Sequence, residues 1–236
     1  MCDSFVPLFA QAAIEDPQGL LVAASVLFDR GGPVMWPILL CSVFALAAVF
    51  ERSYVFHMAN RDVDGLMEDV EIAVHKGDVS YAAELCRKTG GPVAAVMQAG
   101  LTAAEHSREE MQERMEAAAG VQLAHLERYL YVLSTIGNIA PLLGFLGTVW
   151  GMILAFEAIA AKGVMGDPSL VASGIAQALI TTAGGLAVAV PTVTFHNYFN
   201  SRLDAFTVQM EQRAHSLVHL FAEKERSHAL QASQPA

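Results

Sequence analysis

Two long stretches of this 236-residue chain carry no Asp, Glu, Lys, Arg or His: one runs from Leu130 to Phe156, the other from Pro168 to Phe195. An ion pump or proton carrier working alone needs a titratable group in the membrane. A chain with these stretches as spans therefore does no ion work or takes its carboxylate from a partner. A basic patch is missing as well, since 14 Lys and Arg stand against 24 Asp and Glu, a net charge of -10; this argues against nucleic acid as a partner. The three cysteines, Cys2, Cys41 and Cys86, are too far apart to form a disulfide framework and read as free thiols. The N-terminus lacks a Lys/Arg-rich start and Glu15-Asp16 interrupts it early, so no cleaved signal peptide is expected. There is no nucleophile–base constellation, Walker loop or GxGxxG, so neither catalysis by this chain alone nor a bound cofactor is expected. Glu211, His215 and His219 fall at steps of four, a spacing that metals use, but on a surface helix this reads as coincidence and no metal site is expected. Glu157 and Asp167 read as solvated residues of one loop.

What is present is apolar: 54% of residues are hydrophobic, 16% are charged, and the mean hydropathy is +0.40. This composition predicts a small all-α membrane protein with three transmembrane helices and long helices extending into a cytoplasmic helical bundle. The first span is placed at 34–50, VMWPILLCSVFALAAVF, with Trp36 and Tyr54 at the two interfaces. The second falls at 130–156 and the third at 170–196. The 1–33 segment, with an amphipathic helix over Gln18–Phe28 on the outer face, and the 157–169 loop hold one basic residue each, Arg30 and Lys162. The remaining 12 of the 14 Lys and Arg lie in 51–129 and 197–236. The excess of positive charge makes those two segments cytoplasmic and leaves the N-terminus outside.

The segment between the first two spans reads as helices separated by breakers, at about 62–75, 78–88 and 93–105, with Lys76-Gly77 and Thr89-Gly90-Gly91-Pro92 between them. Ser107 with Glu110 forms a capping box, and no breaker follows before Pro141. One uninterrupted helix is therefore expected from Arg108 to about Ala160. Met111, Met115, Ala118, Gln122, His125 and Tyr129 give its polar half a mixed face. The third span is likewise expected to run on past Pro191, with Phe199, Leu203, Phe206, Met210, Leu217 and Phe221 as its apolar stripe. Pro141 and Pro191 read as kinks rather than as chemistry.

Small residues in the second span are ordered. Gly137, Pro141, Gly144, Thr148, Gly151 and Ala155 recur at alternating steps of four and three and so share one side of a helix; Gly147 and Gly151 make a GxxxG pair. The third span repeats the pattern with Gly174, Ala178, Thr181, Gly185 and Thr192. Such stripes let helix backbones approach closely and gain nothing against lipid. Thr148 and Thr181, with Thr182 beside the latter, are candidates for a polar lining, because a hydroxyl both donates and accepts. The alternative for each is a bond to the carbonyl one turn back within a tightly packed interface. Gln177, an amide inside the third span, belongs with them as a pathway group or as packing glue.

The stretches TIGNIAPLLGFLGTVWGMILAF at 135–156 and GIAQALITTAGGLAVAVP at 174–191 resemble the signature spans of the MotA/TolQ/ExbB proton-channel family. The three-span layout resembles the ExbB and TolQ branches, since MotA proteins have four. The resemblance implies a bacterial inner-membrane subunit that forms a pentamer around single-span helices of an ExbD- or TolR-like partner. That partner's aspartate would carry the proton, and the proton motive force would act on a TonB-like protein for outer-membrane transport. The family's pore threonines fall on Thr148 and Thr181. At the family's frequent Glu in GIAEAL this chain has Gln177, leaving the partner carboxylate as the titrating site. In that arrangement Gly137, Pro141, Gly144, Gly151, Gly174, Ala178 and Gly185 would pack around the central partner. A TolQ-like role in envelope integrity, a motility motor and a non-conducting oligomeric scaffold are the alternatives.

Overall fold

In a computed structural model of the chain, the described residues are 25–59, 63–104, 107–162 and 168–232. Cys2, Glu15, Asp16, Asp167, most of the expected Gln18–Phe28 helix and the centre of the 157–169 loop lie outside them. The protein is all-α. A helical segment over 25–31 precedes α1 (Met35–Ala59), followed by α2 (Val63–His75), α3 (Val79–Thr89), α4 (Pro92–Ala103), α5 (Arg108–Glu127), α6 (Leu130–Lys162) and α7 (Pro168–Ala232). Among the described residues three stretches are long and apolar enough to cross a membrane: Met35–Ala59, Arg108–Ala160 and Val171–Lys224. The chain divides into two units, Met1–Ala47 with Val132–Phe195, and Ala48–Tyr131 with His196–Ala236.

The first unit is the apolar one. Its helices bury only one stripe each, including Ile38 and Ala45 of α1, Ala140 and Ala155 of α6, and Ala178 and Ala189 of α7. Leu40, Phe44, Leu142, Phe145, Val149, Leu179 and Val190 stay more than half exposed. A surface this apolar is stable only against lipid or other helices.

The second unit is a bundle with a conventional core. Val70, Val74, Met97, Met111, Met115, Met210 and Leu217 are sealed from solvent, and Phe56 stacks on Phe199 with ring centroids 5.5 Å apart. Its turns follow from local chemistry. Gly77 takes φ +86 and donates to Val74 O, while Asp78 N bonds Ala73 O at 3.0 Å; these are the paired bonds that close a helix C-terminus. Asp78 then caps α3 by accepting from Tyr81 N at 2.9 Å, and Ser107 caps α5 by accepting from Glu110 N at 3.1 Å.

The helix expected from Arg108 to about Ala160 is present as one 53-residue stretch, with a local loosening at Arg128-Tyr129, between α5 and α6, where Arg128 keeps helical dihedrals of φ -44 and ψ -44 and no proline or glycine stands. The cause lies on α1. The Arg52 side chain, 1% exposed, reaches Leu126 O at 2.7 Å and His125 O at 3.3 Å through Nη1. Those are the carbonyls that the Tyr129 and Leu130 amides would take in a continuous helix. Glu51 holds the rest of the guanidinium at 2.5 and 2.7 Å, and the cation lies 5.2 Å from the Tyr129 ring centre.

Candidate functional site: the glycine seam of α6 and α7

The small-residue stripes of α6 and α7 face each other within the first unit and run antiparallel. Gly151 meets Gly174, and Gly144 meets Thr181 and Thr182. Gly185 meets Ala140 and Gly144. Steps of seven along one helix are answered by steps of seven along the other, the repeat of a left-handed coiled pair. The approach is backbone to backbone. A Cβ built on Gly151 would stand 2.6 Å from Gly174 O, and one on Gly174 would stand 2.8 Å from Gly151 O. A Cβ on Gly185 would stand 2.6 Å from Ala140 O. Gly137 closes one end against Val193. Pro141, partly exposed, sits inside α6 beside this line.

The four polar candidates occupy different positions. Thr181 is fully enclosed, its side chain filling the space left by Gly147, and its hydroxyl donates back along α7 to Ala178 O at 2.9 Å and Gln177 O at 3.1 Å. Thr148 is partly exposed and donates to Phe145 O at 2.6 Å. Thr182 crosses the seam, donating to Gly144 O at 3.2 Å. Gln177 lies on the flank of the seam, with its amide against Gly32 at the entrance to α1: a Cβ there would fall 2.1 Å from Nε2. An interhelical hydrogen bond inside a membrane contributes only on the order of 0.6 kcal/mol, so close packing, not the Thr182 bond, holds the seam.

The structure thus brings Thr181, Thr182, Gly144, Gly151, Gly174, Ala178 and Gly185 together and leaves Thr148 and Gln177 at its edges. Sequence reasoning placed the stripes but missed three contacts. Gly147 as the socket of Thr181 was signalled by the GxxxG pair. Gly32 as the neighbour of Gln177 had no signal beyond its being a glycine. Arg52 was legible only as the charged end of a span. Among the described residues no three His, Cys, Asp or Glu side chains gather as a metal site. Glu211 and His215 line a cavity of about 280 Å³ with Gln112 and Glu116, and His219 lies 3.9 Å from Glu223.

The geometry describes two helices joined by glycines along stretches, 130–156 and 168–195, that carry no charge, with hydroxyls along the join. Residues 88–212, which include the whole of this seam, match the family described as the MotA/TolQ/ExbB proton channel family. The chain belongs to the MotA/TolQ/ExbB family. Among its relatives in that family, an ExbB homolog of biopolymer transport proteins from Methanothermobacter thermautotrophicus is 30% identical over 179 residues, covering 75% of this chain and 63% of that one. The ExbB-like 1 protein of Synechocystis is 37% identical over 166 residues, covering 69% and 65%. For these two the match spans a little under two thirds of the relative's length. The biopolymer transport protein ExbB of Neisseria meningitidis is 28% identical over 224 residues, covering 85% of this chain and 98% of the relative.

Proposed function

We propose that the chain is an ExbB-like proton-channel subunit of a bacterial inner membrane, working as a pentamer around an ExbD-like single-span protein and coupling the proton motive force to a TonB-like link for outer-membrane transport. The observation that carries this reading is an α6–α7 seam without charge over 130–156 and 168–195 and with hydroxyls along its join, in a chain of the MotA/TolQ/ExbB family. The relatives named as biopolymer transport proteins support ExbB over the TolQ-like and motility alternatives. The chain itself performs no covalent chemistry.

In this reading the partner contributes the carboxylate. An acid moving along hydroxyls in low dielectric is costly when ionised and tolerable when protonated, so proton entry and exit bias the partner's position within the ring. One proton falling through 100 mV supplies about 2.3 kcal/mol, enough for a small step between weakly held positions. Thr148, with its side chain partly open, faces the pathway. Thr181, enclosed against Gly147, sets the approach of α6 to α7 and so the position of the lining.

The test is proton flux into liposomes containing the chain co-expressed with its ExbD-like partner. Thr148→Val and Thr181→Val keep side-chain shape and remove the hydroxyls. Together they are expected to lower flux at least tenfold while the complex still assembles. Wild-type flux in the double variant would leave the hydroxyls as packing groups, to which the enclosure of Thr181 against Gly147 lends itself; absence of flux from the wild-type complex would favour the non-conducting scaffold.

A further inference from the structure

The bundle contains a cavity of about 420 Å³ bounded by the last two turns of α1, the α3–α4 turn and the end of α5. Its volume falls in the range of small-molecule sites, roughly 300–1,000 Å³. The chemistry of its wall is uneven. Arg87, Lys88 and His125 line it, and among the described residues no carboxylate does, in a chain of net charge -10. Glu84 accepts from Arg87 Nε and Nη2 at 2.7 Å each and lies 3.9 Å from Lys88; it balances one of the two charges and leaves Arg87 Nη1 and the Lys88 ammonium with donors to spare. The Gln98 and Gln122 amides also line the cavity and make no hydrogen bond among the described residues.

The turn between the helices keeps this part of the wall open. Gly90 and Gly91 take φ +65 and +93, conformations that L side chains rarely adopt, and a Cβ on Gly90 would meet nothing within 4 Å. Val55, Met58 and Leu126 make another part of the wall apolar. Arginine and lysine side by side with neutral amides match a tetrahedral anion with several oxygens, and the apolar wall matches a body attached to it.

We infer that this cavity binds a phosphate ester carrying an apolar or planar body, through Arg87 and Lys88 with the Gln98 and Gln122 amides. Two sources share that chemistry: the headgroup of an acidic phospholipid and a soluble nucleotide-sized phosphate. Because the wall includes His125 and Leu126, whose carbonyls Arg52 holds, an occupant would bear on the turn where α5 ends.

The full chain, purified in detergent, is titrated with AMP, with phosphatidylglycerol and with phosphatidylcholine, alongside the Arg87→Gln/Lys88→Gln variant. Both side chains are exposed, so the variant is expected to fold. At least one of AMP and phosphatidylglycerol should bind the wild type and bind the variant at least tenfold more weakly, with binding that weakens as salt is raised; phosphatidylcholine should not distinguish the two. Binding of AMP alone assigns a soluble ligand, and binding of phosphatidylglycerol alone assigns a lipid. Absence of binding by both, or equal binding to both proteins, overturns the inference. A second variant, Met58→Trp, fills the apolar side without touching charge and should weaken the same probe; unchanged binding in that variant would place the ligand elsewhere and equally overturn it.

Discussion

At the scale of single residues, the bundle depends on Arg52, a cation two positions beyond the expected first span. A buried guanidinium is tolerable only because each of its nitrogens has a partner: Nε and Nη2 on Glu51, and Nη1 on the two α5 carbonyls. Arg52→Met keeps the stem and takes away the donor on the carbonyls, which should cost about 1–3 kcal/mol, read as a lower denaturant midpoint, while hydrogen exchange at Tyr129 and Leu130 slows because their amides can take the freed carbonyls. Unchanged exchange there would mean that the loosening forms without Arg52. Cys86 offers a pH-dependent counterpart. Burial pushes its thiol from 9.0 up to about 11, so the folded chain keeps a proton that the unfolded chain gives up. That contribution is present in full below pH 9 and is lost as pH climbs through 9 to 11. Alkylation of Cys86 in the native bundle should stay slow at pH 8, where a free thiol already reacts, and should accelerate only as the bundle loosens.

At the scale of elements, the glycine seam separates positions that look alike in sequence. Gly151 and Gly120 are both helical glycines, yet a methyl at Gly151 would stand 2.6 Å from a backbone oxygen and one at Gly120 would meet nothing within 4 Å. Gly151→Ala is expected to destabilise by about 1–3 kcal/mol through forced parting of α6 and α7. Gly120→Ala is expected to stabilise by roughly 0.5–1 kcal/mol through lost backbone freedom in the unfolded chain. Thermal unfolding of the two variants in the same detergent checks the opposite signs. This contrast also marks what sequence could reveal. The heptad-like recurrence of small residues made the stripes, and so the helices, legible. Recurrence does not say which helix a stripe will meet, and in the single chain these stripes meet each other. The loosened turn at Arg128-Tyr129 was invisible for a related reason: the arginine that occupies the His125 and Leu126 carbonyls sits over seventy positions away, beyond any local pattern of breakers or caps.

At the scale of the whole molecule, the apolar runs, the cap signals and the turns at Gly77 and Gly90 were each local, and they fixed the helical class and most helix boundaries. The sidedness expected of the chain in the membrane rests on the distribution of Lys and Arg alone. Reporter fusions after Lys76 and after Ala232 should be active in the cytoplasm, and one within 163–167 should be active outside; any other pattern reverses the assignment. The seam carries a last consequence at the level of the gene. A single-base change in a glycine codon gives another glycine, a stop or a residue with a β-carbon, so the codons for Gly144, Gly151, Gly174 and Gly185 have no amino-acid neighbour that fits. In a saturation library selected for transport, those four columns should empty while the column for Gly120 stays populated, tracing the line of contact in the survivors' DNA.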